Sequence, residues 1–171
     1  MRLTTMTDYA LRLLMYVARQ PERLCTIGEV AAAYGISEAH LMKVTHHLGR
    51  AGFLETVRGK GGGMRLALPP RDINLGAVVR SIEPDFALVE CFDSGSSGCT
   101  LTGDCRLAGV ISGALGAFLA HLDRHTLADL LRGGPPRLQT VQPPRPGARA
   151  PAARRAAAAT PARPARTARR A

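Results

Sequence analysis

The sequence predicts a mainly α-helical protein with one small β-hairpin. Apolar residues recur at helical spacing in most segments of the 171-residue chain, and capping residues or glycine turns separate these segments. A single glycine-rich stretch lies between two short runs that are typical of paired strands. The expected fold class is therefore mainly α with a small β element.

The first predicted helix lies near the amino terminus. We expect Thr7 to cap it, and Pro21 lies just past its end. Its apolar residues at helical spacing include Tyr9, Leu13, Tyr16 and Val17. This pattern indicates an amphipathic helix with one face in a core.

Two short helices follow, joined by a glycine turn. Thr26 and Glu29 have the spacing of a capping box that opens the first of them. Gly35 supplies a tight turn, Ser37 caps the next helix, and Gly52 ends it. This arrangement is a helix-turn-helix pattern, in which the second helix offers its amino-terminal residues to the major groove of DNA.

The glycine-rich stretch predicts a hairpin with strands near residues 54–58 and 64–68. Basic residues flank its tip, namely Arg58, Lys60 and Arg65. A phosphate-binding nucleotide loop does not fit, because no Ser or Thr follows Lys60 and the glycine spacing breaks at Met64. A plain hairpin tip is the simpler alternative.

A hairpin beside a helix-turn-helix is a wing, and wings typically reach phosphates or a minor groove. We therefore prefer DNA contact to a plain hairpin. The candidate DNA-binding residues on the third helix and the wing are Ser37, Glu38, His40, Lys43, Arg58 and Lys60.

Two further short helices and one long helix complete the expected elements. Asn74 caps a short helix that Pro84 stops, and Thr126 caps the last one. Between them, a long helix carries an apolar stripe made of Leu107, Val110, Ile111, Ala114, Leu115, Phe118 and Leu122. Because this helix lies outside a compact winged module, we expect its stripe to be buried against a second subunit.

Three cysteines lie on one loop, "CFDSGSSGCTLTGDC", where Cys91, Cys99 and Cys105 are separated by seven and five residues. Thiolates suit zinc, copper(I) and iron–sulfur clusters. Structural zinc sites usually pair cysteines two to four residues apart, so these gaps favour a larger cluster. A fourth ligand is needed, and Asp93, Asp104 or a carboxylate from elsewhere are candidates.

The remaining cysteine and a histidine pair are weaker candidates. Cys25 stands apart from the loop and is expected to be a small buried apolar residue. His121 and His125 have metal-like spacing but lack an accompanying acidic motif, so we interpret them as surface or packing residues.

The charge is concentrated at the carboxyl terminus. The chain has 23 basic and 13 acidic residues, but residues 133–171 hold nine arginines and no acid, which leaves 14 basic against 13 acidic residues before them. This Ala/Pro/Arg tail is expected to be a disordered, solvated extension, which we prefer to a role in non-specific attraction of phosphates. The predicted organisation is a winged helix-turn-helix over residues 1–84, a cluster loop and dimerisation helix over 85–132, and the tail over 133–171.

The amino terminus does not resemble a signal peptide, because Asp8 and Arg12 interrupt any apolar region. No run approaches the roughly 18 apolar residues of a membrane span. We therefore expect a cytoplasmic protein without membrane contact, where clustered thiols indicate metal or redox chemistry more than disulfides.

Several segments carry a resemblance to a known family. "MRLTTMTDYALRLLMYVA", "VRGKGGGMRLALPP" and the three-cysteine loop resemble the Rrf2-type winged-helix repressors. These are bacterial dimers whose members sense iron–sulfur status, nitric oxide or cysteine supply. The resemblance covers about residues 1 to 131, and "TDYALR", "HLMKVTHHLGRAGFLETVRGKGGG" and "HTLADLL" are similar to the nitric-oxide-sensing branch.

The resemblance also implies a ligand set for an iron–sulfur cluster of the 4Fe-4S or 2Fe-2S type. The family's cysteine ligands match Cys91, Cys99 and Cys105. One branch adds a histidine three residues after the last cysteine, where this chain has Ala108. Nitric-oxide-sensing members can instead take an aspartate from the first helix of the partner subunit, and Asp8 stands at that position.

The expected function is that of a transcriptional repressor rather than an enzyme. The resemblance implies a cluster-bearing homodimer that binds a palindromic double-stranded operator and releases it on meeting nitric oxide. Three alternatives remain: a regulator that senses cluster supply or redox state, an enzyme with a catalytic cluster, and a zinc-stabilised DNA-binding protein. The enzyme is disfavoured because the sequence has no substrate-pocket motif and no nucleophile–base pair.

Overall fold

The computed structural model describes residues 2–93 and 105–132, and that part of the chain is mainly helical with one two-stranded antiparallel sheet. The elements in chain order are α1 (Thr5–Ala18), α2 (Ile27–Tyr34), α3 (Glu38–Arg50), β1 (Leu54–Val57), β2 (Gly63–Leu66), α4 (Leu75–Ile82), α5 (Arg106–Asp123) and α6 (Leu127–Leu131). Short 3-10 turns precede α4 at Pro70–Asp72 and follow it at Glu90–Phe92. The predicted mainly α fold with a small β wing is confirmed.

The start of α1 differs from the sequence prediction. Thr4, not Thr7, is the N-cap, and its side chain accepts a hydrogen bond from the Thr7 amide at 3.4 Å. Thr7 is buried within the first turn and donates its hydroxyl to Glu83 Oε1 at 2.5 Å. The same carboxylate accepts from the Thr4 amide at 2.8 Å. A side chain distant in sequence therefore accepts from the Thr4 amide and from the hydroxyls of Thr4 and Thr7 at the helix start, which local pattern cannot show.

The helix-turn-helix forms as predicted. Thr26 and Glu29 make the reciprocal capping box of α2, and Gly35 ends that helix with φ 65°. This left-handed conformation suits glycine because it lacks a Cβ atom. Ser37 then caps α3, as expected.

The wing pairs β1 with β2 in a register from Leu54 opposite Leu66 to Val57 opposite Gly63. Both strands are shorter than the predicted runs. A bridge between Cys25 and Met64 attaches the hairpin to the helical domain, with N–O distances of 2.9 and 2.8 Å. The bridge needs a small residue beside it, since a Cβ on Gly63 would lie 2.7 Å from the Cys25 carbonyl oxygen.

The hydrophobic core lies around α1 and draws on every other helix except α5. Leu13 and Leu14 of α1 are fully buried. They share one cluster with fully buried residues of the other elements, namely Val30, Leu41, Val44, Leu48, Met64, Ile73, Val78 and Leu127. Because both α3, the second helix of the helix-turn-helix and hence its predicted recognition helix, and the wing contribute to this cluster, the core fixes their relative positions.

The long helix α5 is attached to α4 mainly near its carboxyl end. Arg80 of α4 makes a bidentate ion pair with Asp123 at 2.6 and 2.7 Å. Gly76 provides the room, since a Cβ there would overlap Asp123 Oδ1. Asn74, the predicted cap of α4, also donates from Nδ2 to the Asp123 carbonyl at 2.7 Å. No residue of α5 is fully buried in the described chain.

No helix within residues 2–93 and 105–132 is both long and apolar enough to cross a lipid bilayer. The tail over residues 133–171 lies outside the described residues. The predicted division at residues 84 and 132 stays a prediction.

Candidate functional site

The amino-terminal end of α3 presents a polar surface to solvent. The four candidate DNA-binding residues there are all exposed, namely Ser37, Glu38, His40 and Lys43. Ser37 Oγ accepts the His40 amide at 3.4 Å and lies 2.8 Å from His40 Nδ1. The Ser37 side chain therefore positions the His40 imidazole and also caps the amino terminus of α3.

The opposite face of α3 packs into the core. Leu41, Val44 and Leu48 are fully buried. Buried Thr45 donates to Met64 Sδ of β2 at 3.7 Å. These contacts set the rotation of α3, so that its polar face points outward.

The wing tip carries two exposed basic residues. Arg58 and Lys60 are exposed, and within the described residues neither makes an ion pair. Gly59 and Gly61 have φ values of 96° and 79°, which allows the tight reversal. Arg65, also noted from the sequence, instead pairs with Glu55 across the two strands at 2.8 Å. The uncompensated charge therefore lies at the tip, where a phosphate would be met.

The structure places two of the three loop cysteines. Cys91 is exposed in the 3-10 turn after α4, and Cys105 is half-buried immediately before α5. Neither forms a disulfide. Cys99 and Asp104 lie outside the described residues. Asp93 is exposed, and its amide bonds to the Glu90 carbonyl at 3.1 Å.

Of the predicted metal ligands, Asp8, Cys91 and Cys105 lie in the part of the chain that the structure describes. No group of three His, Cys, Asp or Glu side chains in residues 2–93 and 105–132 is arranged to hold a metal ion. The assignment of Cys91, Cys99, Cys105 and Asp8 stays a prediction.

Asp8 lies on the first turn of α1 and is half exposed. Its carboxylate is engaged by Arg12 one turn later, with a shortest distance of 2.9 Å. The next residue, Tyr9, packs its ring 6.1 Å from the ring of His40 at an angle of 58°. The first turn of α1 thus contacts the exposed end of the recognition helix, a link that sequence spacing does not show.

Cys25 and the paired histidines behave as expected from the sequence. Cys25 is completely buried in the core, and burial raises the pKa of its thiol. A buried neutral thiol is a poor metal ligand, because the thiolate is the ligating form. His121 and His125 lie 4.9 Å apart between ring centres, and His121 Nδ1 contacts the Arg124 guanidinium at 3.0 Å. They lie at the end of α5, away from its cysteine-bearing start.

Comparison with known proteins gives a consistent result. Residues 3–133 match the model of the family described as "Rrf2: Iron-dependent Transcriptional regulator". The chain is 49% identical over 133 residues to the HTH-type transcriptional regulator NsrR of Bacillus subtilis, covering 77% of this chain and 91% of the relative.

Two solved structures support the fold. The T. potens IscR structure has a TM-score of 0.61 and 27% identity, and the match covers 77% of this chain and 86% of that one. CymR, the global cysteine regulator of B. subtilis, has a TM-score of 0.64 and covers 77% of this chain and 96% of its own. Its identity of 23% supports the fold alone.

Proposed function

The chain belongs to the Rrf2 family of transcriptional regulators, and on that premise we propose that it is a DNA-binding repressor that senses nitric oxide through an iron–sulfur cluster. It is a regulator and not an enzyme. The DNA-binding part follows from the winged helix-turn-helix and the named relatives. The sensing part rests on the thiol loop and on the resemblance of the sequence to the nitric-oxide-sensing branch.

The observation that carries the sensing proposal is the placement of the loop thiols. Cys91 and Cys105 flank the segment that the sequence predicts to be a loop, both are accessible, and neither is in a disulfide. Cys105 also precedes the amino terminus of an 18-residue helix, where negative charge is stabilised. Soft, accessible thiolates fit an iron–sulfur cluster, and Cys99 between them would be the third ligand.

Asp8 of a second subunit is the proposed fourth ligand. When bound, a cluster of the 4Fe-4S or 2Fe-2S type would supply iron that reacts with nitric oxide. Asp8 offers an oxygen donor, which iron–sulfur sites hold less firmly than sulfur. In the described chain its exposed carboxylate is shared only with Arg12, itself about half exposed. Such a pair opens at a cost of roughly 0.5 kcal/mol, so Asp8 is free to change partner.

The contacts of α1 provide the route from Asp8 to DNA. Asp8 precedes Tyr9, whose ring packs on His40, and His40 in turn contacts Ser37 at the cap of α3. A small displacement of the first turn of α1 would therefore move side chains that face the major groove. Loss of the Asp8 bond to the partner subunit would also change the distance between the two recognition helices of the dimer. That distance must match the half-site spacing of a palindromic operator.

A homodimer is the proposed assembly, with α5 as its interface. The helix has 18 residues and none is fully buried, while Leu107 and Val110 are 60% and 68% exposed. An apolar stripe of this length on a separate helix is typical of a subunit interface. A second copy would cover it and bring Asp8 of one subunit to the thiol loop of the other. A regulator of this kind works on DNA in the cytoplasm, where its thiols stay reduced.

The test is operator binding by the full chain purified without oxygen. Visible absorption with bound iron and sulfide is expected, whereas a zinc protein would be colourless. Nitric oxide should then weaken operator binding strongly, and oxygen over the same period should have a smaller effect. Equal responses to both, or a response only to cluster loss, would favour the regulator of cluster supply or redox state. A colourless protein without iron would contradict the sensing proposal and leave DNA binding in place.

A further inference from the structure

One stripe of exposed residues runs the length of α3. Glu38, Met42, His46 and Arg50 recur every four residues, so they lie on one face of the helix, and all four are exposed. Three of them are polar or charged. Met42 is 55% exposed and is the one large apolar side chain on the solvent side of α3.

Three residues of this stripe, Met42, His46 and Arg50, line one wall of a groove. A cleft of about 700 Å³ separates α3 from β1, and Met42, His46, Arg50, Thr56 and Arg58 are among its lining residues. Arg50 comes from the last turn of the recognition helix, and Arg58 comes from the wing. Ile27 and Leu54 also line the cleft, but Met42 is its most exposed apolar side chain. The cleft therefore combines an exposed apolar side chain with guanidinium groups from both elements.

The chemistry of such a surface matches a base edge with flanking phosphates. In the major groove the base edges are polar except for the C5-methyl group of thymine. Arginine side chains position a protein through phosphates, which carry no sequence information themselves. Methionine is unbranched and adaptable, so it can follow the shape of a small methyl group.

From these observations we propose that Met42 contacts the methyl group of a thymine in the operator and is a specificity-determining residue of the recognition helix. The assignment rests on the DNA-binding part of the proposed function. It does not depend on the cluster, on nitric oxide or on the identity of the fourth ligand. Met42 does not belong to the core, so its side chain is available for this contact.

Deoxyuridine provides the sharpest test, because it differs from thymidine in DNA only by the missing methyl group. A duplex is first selected from a random-sequence library by the full chain purified without oxygen. Each thymine of one half of that duplex is then replaced singly by deoxyuridine, and affinity is measured by fluorescence anisotropy. For the wild type, one replacement should weaken binding about fourfold, the effect of one buried methyl group.

Three variants separate a direct contact from a structural effect. Met42→Gln should bind the parent duplex and the deoxyuridine duplex equally, because it has no apolar end to meet the methyl group. Met42→Leu should keep the discrimination. Leu68→Gln is the control: it removes an apolar side chain outside α3 that is 41% exposed, and it should behave as wild type. Thermal unfolding of each variant checks that the fold is intact.

The assignment is overturned if every deoxyuridine duplex binds the wild type within about twofold of the parent. It is also overturned if Met42→Gln retains the wild-type ratio, or if the selected half-site has no thymine. A library that yields no enriched sequence would overturn sequence-specific DNA binding and this assignment together. Loss of the nitric oxide response alone would leave the assignment standing.

Discussion

Arg12 holds both carboxylate oxygens of Asp8 within a single turn of α1, with Nε 3.0 Å from Oδ1 and Nη2 2.9 Å from Oδ2. The two side chains are 46% and 50% exposed, so water competes with the pair. An exposed pair of this kind contributes about 0.3–0.5 kcal/mol to a helix. Arg12 therefore orients Asp8 but binds it only weakly. A weak partner suits a carboxylate that is proposed to bind a cluster of the other subunit in a dimer.

The first prediction concerns this carboxylate. Asp8→Ala should still bind iron, because three thiolates can hold a cluster, but its visible spectrum should change. Operator binding without oxygen should weaken toward that of nitric-oxide-treated wild type. The measurement is operator affinity beside iron content for both proteins.

Arg12→Ala is the matched control for Asp8→Ala, because it breaks the same ion pair and keeps the carboxylate. It should leave the spectrum and operator affinity close to wild type. If both variants have the same effect, the ion pair and not a cluster bond is responsible. If Asp8→Ala changes nothing, Asp8 is only a first-turn helix residue and another ligand fills the fourth position.

The second prediction separates the loop cysteines from the buried one. Cys91→Ala, Cys99→Ala and Cys105→Ala should each abolish the visible absorption and the bound iron. Cys25→Ala should keep both and should lower stability by about 1 kcal/mol, because it leaves a small cavity in the core. Iron and sulfide analysis beside thermal unfolding would check this. If Cys25→Ala lost its iron while the three loop variants kept theirs, the proposed ligand set would be contradicted.

The third prediction concerns the wing. Replacing Arg58 or Lys60 by Ala should weaken DNA binding across sequences and lower the salt dependence by about one unit. Arg65→Ala is the control, since Glu55 already compensates its charge, and it should change the salt dependence less. A loss confined to particular base positions would show that the wing reads sequence instead of phosphates.

The fourth prediction concerns acid stability. A side-chain hydrogen bond from Arg80 holds the pKa of Asp123 below its usual value near 3.8. A carboxylate with a lowered pKa in the folded state stabilises the fold above its unfolded pKa and loses that contribution as the pH falls. Asp123→Asn and Arg80→Gln should therefore each flatten the fall in melting temperature below about pH 4. An unchanged slope in both variants would contradict this role.

The sequence predicted the elements whose signals are local. The capping box of Thr26 and Glu29, the turn at Gly35 and the cap Ser37 all lie within a few residues of the helices they define. The start of α1 was predicted wrongly because Glu83, 79 residues from Thr4, completes it. A long-range hydrogen bond leaves no periodic pattern in the sequence.

The candidate site follows the same rule. Exposed positions at the start of α3 could be predicted from its apolar spacing, but the exposure of Met42 and the pairing of Arg65 with Glu55 depend on how α3 meets the wing. The contact between Tyr9 and His40 likewise requires α1 and α3 to be packed together. Residue type predicted the thiols as candidate ligands, whereas their proposed arrangement around a cluster would require a second subunit, which residue spacing does not determine.

The last prediction concerns the α5 interface. Val110 is 68% exposed and contributes nothing to the core, so Val110→Glu should leave the fold of the single chain intact. In the proposed dimer the same change places two carboxylates in an apolar interface, where unpaired charge is strongly unfavourable. Light scattering after size exclusion should therefore give a dimer for the wild type and a monomer for Val110→Glu.

The monomer should carry two further defects, because the dimer supplies both a second recognition helix and Asp8. Operator affinity should fall on the order of a hundredfold as simultaneous binding of two half-sites is lost. The visible spectrum should resemble that of Asp8→Ala, since the partner's carboxylate is no longer available. Ser112→Glu adds the same charge to an exposed position of α5 off the apolar stripe, and it should remain dimeric. A dimeric Val110→Glu would place the interface on another surface, and a monomer with a wild-type spectrum would show that the fourth ligand comes from within one chain.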